Sequence, residues 1–402
     1  MKCLWVAPYL FYPLRSGGQF SIYPWLKELA NRGWEFTLIQ YNSPYGLLQE
    51  SLKELTWARK VFTVEPNRFS SRKEYFNKLI SSDKSFFRLR NDVREIYGFL
   101  EEISSGGFNP RVVILSHSYL GFLIPHIKVS FPEAKILLDL HNLEWRAYLN
   151  ILDICEDFWE KLDAVINFVR LRDEESKALE SCDGVVYLSP VEGKYAELFG
   201  KPLLWRPARF PENLILSPDI LLRNKDFLIT TSLNIRWICS ELLRFIKNVW
   251  VKYKSIFEDA NFWILGREPL DWFKEEASKF KGVHILGWVE DPSPYVLRSR
   301  IFVAPFKKSM GSLTKVISAW SWGIPVVTTP IVAKGLKGTP GKHFLVGGSD
   351  EELLSFCLKI AQDDFVALKL SQESRRFVIE EYDLSRFVDR FEKWLEEHFL
   401  YI

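Results

Sequence analysis

The chain has 402 residues, more than one ordinary core accommodates, so two domains of about 150–200 residues each are expected. Hydrophobic residues make up 47% and charged residues 26%, which excludes an intrinsically disordered chain. A net charge of +2 supplies no global field for nucleic acid, so nucleic acid is not an expected partner.

Read in chain order, the N-terminal stretch Met1–Phe11 carries one lysine and a short apolar run. Pro8 and Pro13 interrupt it and no small-residue cleavage site follows, so a first buried strand is expected rather than a signal peptide. Strands are predicted at 4–7, 36–40, 61–64, 112–116, 136–139 and 184–188. Helical patterns lie between them, including 20–32, 86–104 and 158–181. Short apolar strands alternating with helices predict a parallel sheet covered on both faces. The stretch Gly200–Asp219, "GKPLLWRPARFPENLILSPD", holds four prolines and little periodicity, and reads as a linker.

A second series of strands follows at 227–231, 260–265, 283–286, 301–304, 325–328 and 343–346. Helices are predicted at 239–253 and 313–322, and an amphipathic helix at 385–399. The fold class is therefore α/β, with two doubly wound Rossmann-like domains: residues 1–205, a linker at 206–224, residues 225–384, and a terminal helix within 385–402. Ligands of open parallel sheets bind beyond the carboxyl ends of the strands, so two such sheets facing each other predict a cleft with one ligand on each side. No apolar run reaches about 18 residues, and no membrane-spanning helix is expected. The five cysteines are scattered without a Cys-x-x-Cys pair, which fits isolated thiols in a reducing cytoplasm.

The loops after the strands hold the candidate residues. Gly17 and Gly18 precede a helix, where backbone can approach a ligand and N–H groups can face an anion. His117 and His141 stand at the carboxyl ends of the fourth and fifth strands, each fit to act as a base or to hydrogen-bond a sugar or phosphate. Glu144 suits polarising an acceptor hydroxyl and Trp145 stacking on a sugar face; a helix start packed on the sheet is the plainer reading. In the second half, Asn234, Arg236 and Arg267 project from loops, and Gly287, Trp288 and Val289 follow the third strand. Lys307, Lys308, a small-residue turn and a helix start make a diphosphate site from cations and free N–H groups. No Asp-x-Asp pair or His pair at helical spacing occurs, so neither a metal nor a cofactor is expected. Residues 69–90 mix basic and aromatic side chains. Such a segment suits an anionic membrane or a lipid-linked acceptor; a solvated helical insertion is the plainer reading.

The ordered series "DLHNLEW", "TSLNIRW", "ILGREP", "LGWVED" and "VAPFKKSMGSLTKVISAWSWGIPVVTTP" resembles GT-B glycosyltransferases of the retaining family 4 type over nearly the whole length. The resemblance implies a nucleotide-sugar donor on the second domain, with the base near Gly287–Val289 and the diphosphate near Lys307, Gly311, Ser312 and Leu313. It implies metal-independent transfer with retention, an acceptor against the first domain near Gly17, Gly18 and His117, and a last helix that returns to the first domain. The family's Glu-x7-Glu pair falls on Met310 and Ser318, and its usual cations fall on Leu233, Ile238 and Leu313. Arg236, Lys307 and Lys315 are the cations that would replace them. Two readings follow. One is a cytoplasmic or membrane-peripheral hexosyl- or deoxyhexosyltransferase acting on a glycan, lipid-linked or protein-linked acceptor. The other is an impaired relative that binds a sugar or partner without catalysis.

Overall fold

The computed structural model describes residues 1–43, 47–152, 157–208, 219–308 and 314–400. They divide into two compact units, the first built from residues up to 208 together with 384–400, the second from residues 219–308 and 314–383.

The first unit is a seven-stranded parallel sheet. Its strands are β1 (Lys2–Ala7), β2 (Glu35–Tyr41), β3 (Lys60–Val64), β4 (Val112–Ser116), β5 (Lys135–Leu140), β6 (Gly184–Tyr187) and β7 (Leu203–Trp205), in the order β3-β2-β1-β4-β5-β6-β7. Every residue of β4 is buried, as helices on both faces of a parallel sheet require. The helix Gly17–Asn31 starts at Ser16, whose hydroxyl accepts from Gln19 N while Gln19 Oε1 accepts from Ser16 N. This reciprocal cap satisfies two otherwise orphaned donors. The helix Leu384–Leu395 belongs to the same unit and turns Phe387, Val388, Phe391, Trp394 and Leu395 inward. Phe391 meets Trp25 edge-on at 4.9 Å, and Trp34 donates to Glu392 at 2.8 Å. Burying a side chain such as Phe391 is worth roughly 1.5–3 kcal/mol.

The second unit holds six parallel strands: β8 (Asn224–Thr230), β9 (Phe262–Leu265), β10 (Val283–Gly287), β11 (Ser299–Ala304), β12 (Val326–Thr328) and β13 (Leu345–Val346), ordered β10-β9-β8-β11-β12-β13. In each sheet the strand order reverses between its first strand and the fourth, at β1/β4 and at β8/β11. Loops at the carboxyl ends of those pairs are where an open sheet places its ligands.

Several elements differ from the sequence reading. The 86–104 pattern is two helices, Phe86–Asn91 and Arg94–Ser105, because Val93 is extended at φ −113°, ψ 147°. The 239–253 helix runs from Arg236 to Ile256 with one π turn at Ile246–Trp250. The proline-rich stretch Gly200–Asp219 contains β7, and Arg206, just after that strand, is fully buried. Three strand residues between prolines are too few for a period to show.

Candidate functional site

In the first unit, β4 ends at Ser116 and the chain turns sharply at His117, which has φ 78° and ψ 134°. A positive φ is uncommon for a residue with a Cβ and collects at functional positions. His117 and Glu268 are the two such non-glycine residues among those described, and each follows a strand, β4 and β9 respectively. The His117 ring stacks on His141 at 4.4 Å and on Tyr119 at 4.9 Å, and Tyr119 stacks on Phe87 at 4.4 Å. The structure therefore brings together the two histidines that the sequence holds 24 positions apart. His117 Nδ1 is buried with no hydrogen-bond partner and lies 3.7 Å from Glu144 Oε1.

His141 is held by a network absent from the sequence reading. Its Nε2 lies 2.8 Å from Asp139 Oδ2, and Asp139 Oδ1 accepts from Arg206 Nη2 at 2.7 Å and Nε at 3.1 Å. Arg206 also donates to Ser21 Oγ and Ser21 O, and its guanidinium lies 5.1 Å from the Trp25 ring centroid. Burial alone would push the Asp139 carboxyl up; Arg206, then His141, override it and hold it well below the usual carboxylate range. Burial lowers His141 to about 4, against the pull of Asp139, so its ring is neutral at neutral pH.

Glu175 is the second missed residue. It accepts from the backbone N of Glu144 and of Trp145, both at 3.1 Å, and from the Ser118 hydroxyl. It thus anchors the start of the helix Glu144–Leu152 and with it Glu144. Burial pushes its carboxyl up to about 8. The Trp145 ring packs on Phe168 and Tyr195 against the core. Gly18 stands beside the Tyr9 ring. It lies inside the first helical turn, and a Cβ there would come within 2.4 Å of Tyr9 Oη, so the missing side chain makes room for Tyr9. That Tyr9 ring meets His117 edge-on at 5.8 Å. Gly17 is exposed with open space around it.

In the second unit, Lys315, in the first turn of the helix Thr314–Ser321, donates to Thr231 Oγ1 at 2.8 Å beyond the end of β8. Its ammonium sits 4.7 Å from the Phe306 ring centroid beyond β11, so it spans the strand-order reversal. No carboxylate among the described residues pairs with it, and burial lowers it to about 8. Lys307 and Arg236 are exposed, Arg236 being the first residue of its helix. Asn234 donates to Glu268 at 3.4 Å, and the Arg267 guanidinium stacks 4.2 Å from exposed Trp288. Gly287 has φ 70°, and its carbonyl accepts from Gly266 N at 2.8 Å; Val289 is half-buried. Gly266 has no room for a Cβ, which would fall 1.8 Å from Thr231 O. Leu233 and Ile238 are buried apolar residues. Ser318 is 5% exposed, and its hydroxyl donates to Thr314 O at 3.1 Å. Met310, Gly311, Ser312 and Leu313 lie outside the described residues. Among the described residues no three His, Cys, Asp or Glu side chains gather as a metal site. No described helix is long and apolar enough to cross a membrane.

Two doubly wound parallel sheets, each with its polar residues beyond the strand ends, define the GT-B fold. Solved structures agree over almost the whole chain. Sucrose-phosphate synthase from Thermosynechococcus elongatus is 15% identical with a TM-score of 0.67, covering 98% of each chain. Anabaena Alr3699/HepE in complex with UDP-glucose is 12% identical with a TM-score of 0.66, covering 99% of this chain and 100% of that one. A mutant of TarM from S. aureus, in complex with fondaparinux, α-GlcNAc-glycerol and UDP, is 11% identical with a TM-score of 0.64, covering 98% and 99%. No curated protein matches the sequence. Residues 230–363 match the family model described as glycosyl transferases group 1. That segment falls in the second unit, and the chain as a whole has the fold of GT-B glycosyltransferases.

Proposed function

We propose that the protein moves a sugar from a nucleoside-diphosphate sugar to a glycan, lipid-linked or protein-linked acceptor, with retention and without a metal. The observation that carries this reading is Lys315, an unpaired cation among the described residues, at the strand-order reversal of the unit that matches the family. Departure of the diphosphate builds negative charge, and fixed cations stabilise that charge where it develops. Lys315 is already in place on Thr231, and exposed Lys307 and Arg236 supply further charge. Solved proteins of the same fold hold UDP-glucose, or UDP with glycan ligands, which supports donor and acceptor classes of this kind. The acceptor hydroxyl is assigned to the first unit, at the stacked His117 and His141. A lipid-linked acceptor at the inner face of a membrane is supported by exposed Arg72, Lys73 and Lys78 beside exposed Ile80.

One observation favours the second reading, a sugar-binding relative without turnover: Leu233 and Ile238, at positions where the resemblance places cations, are buried in the core. A thermal-shift panel of nucleotide sugars separates the two. A donor at 100 times its Kd adds about 2.7 kcal/mol to apparent stability. A shift with one nucleotide sugar, followed by its hydrolysis or transfer, supports the transferase. No shift with any donor refutes it.

A further inference from the structure

We infer that Asp139 and Arg206 form a buried positioning pair that fixes His141 with Nε2 protonated and Nδ1 bare, so that His141 acts toward substrate as a hydrogen-bond acceptor. The role toward substrate rests on the reading above; the tautomer does not.

An ionised carboxylate can only accept, so at 2.8 Å from Asp139 Oδ2 the His141 Nε2 must carry the proton. Arg206 Nη2 also lies 3.3 Å from Nε2, but a guanidinium only donates. Two protonated nitrogens do not hydrogen-bond, so that approach is packing around the shared carboxylate. Asp139 has no spare capacity: Oδ1 takes two Arg206 donors, and Oδ2 takes His141 and the Ser116 hydroxyl at 3.4 Å. Ser116 is in turn fixed by Trp5 Nε1 at 2.8 Å. The Arg206 guanidinium beside it, then His141, hold the Asp139 carboxyl well below the usual carboxylate range against its burial, so it stays ionised. The charged and titratable groups around the ring are Asp139 on β5, Arg206 after β7, His117 after β4, and Tyr9 and Glu144 near His117. His141 Nδ1 has no partner among the described residues, and it is absent from the buried orphan atoms that include His117 Nδ1. A bare nitrogen fixed by a second-layer carboxylate is suited to accept a hydrogen bond from a sugar hydroxyl.

The test is side-chain NMR of the full chain labelled with 15N-histidine, with His141 assigned by its loss in His141→Gln. The expected spectrum is the Nε2–H tautomer, unchanged from pH 8 to pH 5. An Nδ1–H tautomer, or titration near pH 6.5, overturns the inference without any further variant. Asp139→Asn then turns an amide NH2 toward the ring, since its one oxygen is claimed by Arg206, and should flip the tautomer. Folded Asp139→Asn should lose about 100-fold or more in kcat with KM within about threefold. Folded Asp139→Asn with both tautomer and kcat unchanged overturns the inference; if it does not fold, the wild-type spectrum decides. A wild-type protein with the expected tautomer but no turnover on any donor keeps the positioning pair and removes the proposed function.

Discussion

At pH 8.5, binding of a nucleoside diphosphate should draw a proton onto Lys315. In the free protein this ammonium is lowered from 10.5 to about 8 by burial, with no carboxylate among its causes. The depression corresponds to at most about 3 kcal/mol, reduced by whatever solvent reaches the partly exposed side chain. One phosphate charge about 4 Å away contributes roughly 4 kcal/mol at an effective dielectric near 20, enough to restore an ordinary lysine. With a free-state value of about 8, only about a quarter of the molecules carry the proton at pH 8.5, so binding should take up about 0.7 proton. At pH 7 the uptake should fall to about 0.1. A phosphoryl group with its second pKa near 6 is fully ionised at pH 8.5 and does not mask the signal. Calorimetry in buffers of different ionisation enthalpy reads the number directly, using UDP or whichever nucleoside diphosphate raises thermal stability. Lys315→Met should abolish the uptake and weaken binding by about 10–100-fold. Binding by the native protein with the same proton count at both pH values refutes the placement of the diphosphate against Lys315.

Acid should weaken the fold through His141. Its folded value of about 4 lies below the ordinary 6.5, so the unfolded chain binds the proton first. Stability is full above pH 6.5 and declines toward pH 4 by about 3 kcal/mol; urea unfolding at pH 7 and pH 4.5 should show the slope, and His141→Gln should flatten it. Phe391→Ala should cost about 3–5 kcal/mol, because the ring is fully buried against Trp25, Trp34 and Phe387. A loss under about 1 kcal/mol in urea unfolding, without a red shift of tryptophan emission, would contradict that packing.

The strands were legible because their residues are apolar on both faces: Val112–Ser116 reads as a buried strand and is one. The break at Val93 was not, since apolar residues continue across it and the chain turns without Gly or Pro. The placement of His117 and His141 was legible, since each is a polar side chain that follows an apolar strand. Their partners were not. Asp139 is masked inside β5, Arg206 sits before a proline in a stretch that reads as linker, and Ser21 lies in a helix 185 positions from Arg206. No local period connects residues that meet only when a sheet forms. Lys315 was legible as a cation, while its tie to Thr231, 84 positions earlier, depends on the β8/β11 adjacency.

The helix at 384–395 gives the first unit an unusual order of assembly. At about 5–20 residues per second, some 10–40 seconds separate synthesis of Trp205 from that of Leu395. Through that interval Trp25 lacks Phe387 and Phe391, two of the rings that cover it in the finished protein. The half of the chain that leaves the ribosome first is thus completed last, with an aromatic face exposed to chaperones and to other nascent chains in the meantime. A fragment ending at 208 would keep that face permanently, so separating the two units for study requires carrying residues 384–400 along with the first.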